Sequence, residues 1–164
     1  MDNASVRLYV PSVDELADRR RLLADEETMA YNRGWGDGGG GCYHLTEEQV
    51  REWYREWNRD PRRYYAYVLA DGRVVGEVSL HFDEAAGFFI AGVVIEAAHR
   101  RKGYAGQALR LLLKEAFQVR GLEAVADNFP PERAGAERLY RQAGFRRVSD
   151  GLVVIRREDW RETP

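Results

Sequence analysis

The feature that most narrows what this chain can fold into is a change of pattern around residues 100–106. An apolar run, Ile90 to Ile95, leads into Arg100-Arg101-Lys102-Gly103-Tyr104-Ala105-Gly106, and a helical pattern from Gln107 to Val119 leads out. A strand that turns through glycines into a helix leaves backbone N–H groups free at the helix start, and such a turn cradles anions. Arginine and lysine add charge to those amides, and the missing side chains at Gly103 and Gly106 let a diphosphate approach the main chain. No Ser or Thr follows Lys102 and residues 100–106 do not spell Gly-x-Gly-x-x-Gly, so the turn is neither a nucleoside-triphosphate loop nor a dinucleotide loop. The ligand it points to is a phosphorylated cofactor.

The rest of the chain supplies strands and helices in a readable order. Val6 to Val10 alternates and stops at Pro11; Ser12 or Asp14 then caps a helix carrying Leu16, Leu22 and Leu23. Asp25 to Cys42, with Gly34, Gly36 and Gly38 to Gly41, has no period and reads as a loop. Thr46 and Gln49 form a capping box before a helix that ends at Asp60-Pro61. Its aromatic stripe of Trp53, Tyr54 and Trp57 reads as core. Tyr64–Ala70 and Val74–Phe82 form a hairpin around Asp71-Gly72, and Phe88–Ile95 extends it to a three-stranded meander. Leu122–Ala126 is a short strand, Ala134–Ala143 is helical, and 145–148 with 152–155 closes the chain as a hairpin.

Several of these segments resemble one family. Arg100-x-x-Gly103-x-Ala105 is similar to the Arg/Gln-x-x-Gly-x-Gly/Ala signature of the GNAT superfamily of N-acetyltransferases. Ala91–Ile95 looks like the family's fourth strand, and Gln107–Leu113 looks like the helix behind its cofactor loop. Ala136-Glu137-Arg138-Leu139-Tyr140-Arg141-Gln142-Ala143-Gly144-Phe145 is similar to its A-x-x-L-Y-x-x-x-G-F segment. The likeness covers roughly residues 66–157. It implies an α/β (α+β) GNAT fold, a mixed and mostly antiparallel central sheet with helices on both faces, as a single domain over residues 1–164.

The resemblance also implies a chemistry, acetyl transfer from acetyl-CoA to an amine by direct attack, without a metal. Its pyrophosphate is expected on Arg100, Arg101, Lys102, Gly103, Tyr104, Ala105 and Gly106. The thioester carbonyl is expected on backbone N–H groups of Val93, Val94 and Ile95, where the fourth strand bulges and splays from the fifth. Asn128 is the expected polar contact to the pantetheine arm, and Arg133 reads as a solvated arginine at a helix start. Tyr140 matches the tyrosine that protonates the departing thiolate, a role a phenol with a pKa near 10 can fill.

The base and the acceptor site are read from the residues themselves. Glu77 stands in an otherwise apolar strand and by alternation shares a face with Val75, Ser79 and His81. It is the first choice for general base, with His81, Asp83, Glu84, Glu96 and Asp127 as alternatives. Glu26, Tyr31 and Trp35, from a segment mixing acids with aromatics, and His81 are expected to meet the acceptor. That mixture suits a small cationic amine such as a polyamine, an amino sugar or an amino-acid derivative. A peptide or protein acetyltransferase and a non-catalytic acyl-CoA-binding module are the competing readings.

Composition sets the outer limits. A chain of 164 residues with 45% hydrophobic residues can enclose one core, and a formal charge of -2 opposes a dedicated nucleic-acid partner. Arg19-Arg20-Arg21 and Arg146-Arg147 then read as solvated faces. No apolar stretch approaches membrane-spanning length and no leader pattern opens the chain, so a cytoplasmic protein without a membrane partner is expected, as monomer or homodimer. Cys42, the only cysteine, excludes an internal disulfide, and beside His44 in a glycine-rich loop it reads as an ordinary loop thiol.

Overall fold

Two residues start the sheet. Asp71 and Gly72 both take positive φ, 52° and 74°, the geometry that lets a two-residue turn match the twist of its strands. They join β2 (Tyr64–Ala70) to β3 (Arg73–Asp83), and β4 (Phe88–Ile95) pairs antiparallel with β3 along its whole length. The computed structural model describes residues 5–162. With β1 (Val6–Tyr9), β5 (Ala124–Asp127), β6 (Arg146–Ser149) and β7 (Leu152–Arg156), the sheet runs β1-β2-β3-β4-β5-β7-β6. Among the described residues only β4 and β5 pair in parallel, so the expected mixed, mostly antiparallel sheet is what forms.

Helices cover both faces. One face packs Val78, Leu80, Ala91 and Val125 against α3 (Tyr104–Lys114) and α4 (Ala134–Gln142), with Leu109, Leu112 and Phe117 fully buried between them. The other packs Tyr65, Tyr67 and Leu69 under Leu16, just before α1 (Ala17–Ala24), and under α2 (Glu47–Trp57). Among the described residues no helix is long and apolar enough to cross a membrane.

The capping box forms in full: Thr46 Oγ1 accepts the Gln49 N–H at 3.1 Å, and Gln49 Oε1 accepts the Thr46 N–H at 2.9 Å. Thr46→Ala should therefore cost about 1 kcal/mol in urea unfolding; a loss below a few tenths would mean that packing alone fixes the start of α2.

Three local expectations need correction. Neither Ser12 nor Asp14 caps α1, which begins at Ala17 without a side-chain cap; the Glu15 carboxylate accepts the Ser12 N–H at 2.9 Å and closes a turn upstream instead. The cofactor helix begins at Tyr104, not Gln107, because Gly103 enters it in the left-handed conformation, φ 80°. Val75 does not share a face with Glu77. The pairing of β2 with β3 slips between Val68 and Leu69, which leaves Val75 as an extra residue, and it turns into the main core with Val78 and Leu80. Glu77, Ser79 and His81 remain together on the α1/α2 face.

Candidate active site

Beyond Ile95 the chain makes the bend that the sequence singles out. Arg101 (φ 65°) and Gly103 (φ 80°) are both left-handed, and they swing the backbone into α3. Gly103 occupies the N-cap with no side chain bonding the first amides, so the opening N–H groups of α3 face a cleft of about 710 Å³. Lys102, Arg110 and Arg138 line the same cleft. A Cβ on Gly106 would meet nothing within 4 Å, which leaves the floor open to a diphosphate.

Arg100 lines the same cleft, and its guanidinium also holds two main-chain carbonyls. Its Nε donates to the Ile95 carbonyl at 3.2 Å and its Nη2 to the Thr28 carbonyl at 3.1 Å. The guanidinium thus braces the end of β4 against the loop of residues 25–42. Thr28, fully buried, completes the brace by accepting the Ala97 N–H at 2.9 Å.

A fork in the sheet leads away from this cleft. β4 and β5 pair only at Phe89 with Val125 and Ile90 with Ala126, and beyond that point the strands part around a hollow of about 420 Å³. Backbone groups of alternate residues face opposite neighbours. Val94 faces β3, where its carbonyl lies 2.2 Å from the place a Cβ on Gly76 would take. Ala91, Val93 and Ile95 therefore face the fork, and the Ala91 carbonyl accepts the Tyr140 hydroxyl there at 3.4 Å. Of the three expected amides, those of Val93 and Ile95 point into the opening while that of Val94 belongs to the sheet. The register with β3 is unbroken along β4, so the splay arises without the bulge expected in this strand.

Tyr140 and Asp127 meet at the fork. The phenol is buried, and burial together with the negative charge of Asp127 pushes its pKa well above 10. Burial also pushes the Asp127 carboxyl above its usual range, opposed by the Tyr140 hydroxyl and the Asn128 N–H. Asn128 itself is exposed and does not line the hollow. Arg133, at the N-cap of α4, reaches across the opening to within 5.6 Å of the Tyr31 ring.

The third hollow, of about 200 Å³, lies past Val94 and Tyr31, which it shares with the fork. Trp53, Trp57 and Tyr65 wall it, and Gly92 keeps it open, since a Cβ there would lie 2.7 Å from Ser79 Oγ. Glu77 forms its floor, but not as a free carboxylate. Arg19 Nη1 donates to both Glu77 oxygens at 2.8 Å, and the Tyr65 hydroxyl donates to Oε2. The pair is nearly enclosed, at 14% and 12% side-chain exposure, and the guanidinium stacks 3.6 Å from the Trp53 ring.

The structure thus brings Glu77, Tyr31, Val93, Ile95 and Tyr140 to one trough and leaves others outside it. Trp35 is 72% exposed, Glu26 faces solvent, and Glu27 reaches the hollow instead. His81 stacks edge-on to Trp57 at 6.1 Å, outside the hollow, and burial lowers its pKa. Cys42 is buried beside Leu23 and Met29, while exposed His44 turns to Asp37 at 3.2 Å.

Sequence reasoning missed Arg19, read as part of a solvated run. Its spacing from Leu16, Leu22 and Leu23 places it on the buried side of α1, and that phase was the available signal. Arg147 is likewise internal, held by Glu137 at 2.5 Å and by the Phe129 carbonyl at 3.2 Å. In the aromatic stripe Tyr54 is buried, its hydroxyl on the Pro11 carbonyl, while Trp53 and Trp57 pack half-buried against the same core cluster and also line the pocket.

Comparison with known proteins places this architecture. The acetyltransferase (GNAT) domain family matches residues 6–146. The chain belongs to the GNAT acetyltransferase family. A probable N-acetyltransferase, YjcK of Bacillus subtilis, is 27% identical over 110 residues, a match spanning 63% of this chain and 60% of that protein. Two solved GNAT structures show the same fold. Spermidine N-acetyltransferase from Vibrio cholerae, in complex with CoA and spermine, has a TM-score of 0.76 at 15% identity, covering 94% of this chain and 96% of that one. Aminoglycoside acetyltransferase AAC(6')-Ib in complex with coenzyme A has a TM-score of 0.73 at 18% identity over the same shares. Acetyl-CoA is the cosubstrate of the GNAT family, and the open α3 amides with Lys102 beside them are the donors such a diphosphate requires.

Proposed function

We propose that this chain is an acetyl-CoA-dependent N-acetyltransferase acting on the primary amine of a small, cationic molecule by direct attack within a ternary complex. The observation that carries this reading is continuity. The α3 cleft shares Ile95, Arg100 and Leu139 with the fork, and the fork shares Tyr31 and Val94 with the aromatic pocket. Diphosphate, thioester and amine thus have adjoining places along one trough. A pocket of about 200 Å³ suits a small amine better than a folded protein surface. Glu27, at the mouth of the fork, favours a cationic one.

The residues divide the work accordingly. Val93 and Ile95 direct amides to where the thioester carbonyl oxygen would gain charge, so they stabilise it most when the nitrogen attacks. Tyr140, held protonated by burial and by Asp127, donates to the departing sulfur. The same enclosure that raises the phenol raises the thiol, which keeps that proton transfer from being steeply uphill.

The test is release of free CoA thiol over a panel of polyamines, aminoglycosides, amino-acid amides and peptides. Turnover is expected with small amines, and Tyr140→Phe should lower kcat about 100-fold with acetyl-CoA affinity unchanged. Turnover confined to peptides would point to a protein acceptor. Acetyl-CoA binding with no turnover at all would mark a non-catalytic acyl-CoA module.

A further inference from the structure

We infer that Asp127 is the base of this site and that Asp127 and Tyr140 form one proton circuit, in which the proton taken from the attacking nitrogen replaces the one the phenol gives to sulfur. This rests on the acetyl-transfer reading above and goes beyond it in assigning the base and its route of return.

Placement is the first argument. The last pair joining β4 to β5 is Ile90 with Ala126, so Ala91 and Asp127 are the first residues past it on each arm of the fork. The Tyr140 hydroxyl rests on the Ala91 carbonyl, and Tyr140 and Asp127 line one hollow together with Val93 and Ile95. Asp127 is held from behind by β7, through Val153, and Oδ1 accepts the Asn128 N–H at 2.7 Å.

Elimination is the second. Glu77 is occupied by Arg19 and Tyr65. Glu96 is gripped by Arg21 at 2.8 Å and His99 at 3.3 Å. Asp83 accepts the Ala85 and Ala86 N–H groups in the turn at the far end of β3, and Glu84 lies in the same turn, 78% exposed. Among the described residues Asp127 has no salt-bridge partner. Arg133 and Tyr140 from α4, Glu27 and Tyr31 from the loop, and Arg100 after β4 are the charged and titratable groups around the hollow it lines. Burial raises its affinity for a proton, as a base requires.

The circuit balances. The amine loses one proton to solvent as it enters, and its nitrogen then forms a C–N bond to the thioester carbonyl carbon. The surplus N–H proton passes to Asp127. As the C–S bond breaks, the Tyr140 O–H proton goes to sulfur, and the protonated Asp127 returns its proton to the phenolate. One proton has moved from nitrogen to sulfur, and both side chains end as they began.

Two measurements test this. In carbon-13 NMR of labelled aspartates, the Asp127 carboxyl, assigned by its loss in Asp127→Asn, should titrate above the other aspartates. It should move higher in Tyr140→Phe, where the hydroxyl that favours the anion is gone. In kinetics with spermidine, ribostamycin and phenethylamine as probe acceptors, Asp127→Asn should lower kcat about 100-fold with acetyl-CoA affinity unchanged. The Asp127→Asn/Tyr140→Phe double variant should be little worse than the poorer single, because both remove one circuit. An unmoved Asp127 titration in Tyr140→Phe, an Asp127→Asn variant as fast as the unaltered protein, or losses that multiply would each overturn the circuit alone. No turnover of any probe by the unaltered protein would overturn the acetyl-transfer reading and the circuit with it.

Discussion

Gly103→Glu is expected to abolish acetyl-CoA binding in isothermal titration while leaving the protein folded. Two effects combine. At φ 80° a residue with a Cβ is strained by roughly 1–2 kcal/mol, and a carboxylate at the start of α3 stands where the diphosphate must lie. Two like charges about 5 Å apart, at an effective dielectric constant of about 20, repel by roughly 3 kcal/mol, about a hundredfold in affinity. The nearest atom to a Cβ at this position is Gln107 Nε2 at 4.0 Å, so no packing collision confuses the outcome. Gly103→Asn isolates the electrostatic part, because asparagine tolerates the left-handed conformation without adding charge. It should bind within about tenfold of the unaltered protein. Unchanged affinity in Gly103→Glu would remove the α3 amides from the cofactor site.

What made this turn legible is that its signal is local. A glycine that must be left-handed, a helix start without a cap and an apolar strand in front all sit within one stretch of chain, and each follows from backbone geometry alone. The same holds for Asp71-Gly72 and for the Thr46/Gln49 box. Boundaries drifted where a neighbour in space decides them. The Val75 bulge depends on how β3 meets β2, and alternation counted along β3 by itself cannot see it.

The aromatic pocket was harder for the same reason. Arg19 and Glu77 are 58 residues apart, and nothing in either local sequence announces the other. Taken as a run the arginines read as solvent-facing, and only the phase of Arg19 against Leu16, Leu22 and Leu23 marks it as the enclosed one. Glu26 and Glu27 differ only in which way an aperiodic loop turns them, and Asp127 and Asn128 only in which falls on the strand and which beyond it. Residues fixed by backbone chemistry were readable from the sequence. Side chains fixed by partners across the fold were not.

The Arg19–Glu77 pair supplies the other large effect. Removing one member of an enclosed ion pair leaves the other buried and uncompensated, at about 3 kcal/mol. Glu77→Ala should accordingly lower stability by that order, a fall in melting temperature of roughly 10 °C for a chain of this size. Arg19 would also lose the anchor that holds it over Trp53. Glu77→Gln keeps an acceptor for Arg19 and Tyr65 and should cost less, so it is the variant to use for kinetics. If Glu77 shapes the pocket floor and Asp127 takes the proton, Glu77→Gln raises KM for the amine about tenfold and leaves kcat within a few-fold. Acetyl-CoA affinity stays where it was, since the pair lies on the far side of Val94 from the α3 cleft. A collapse of kcat by two orders of magnitude or more at unchanged KM would return the base to Glu77, and Arg19 would then be the group that orients it.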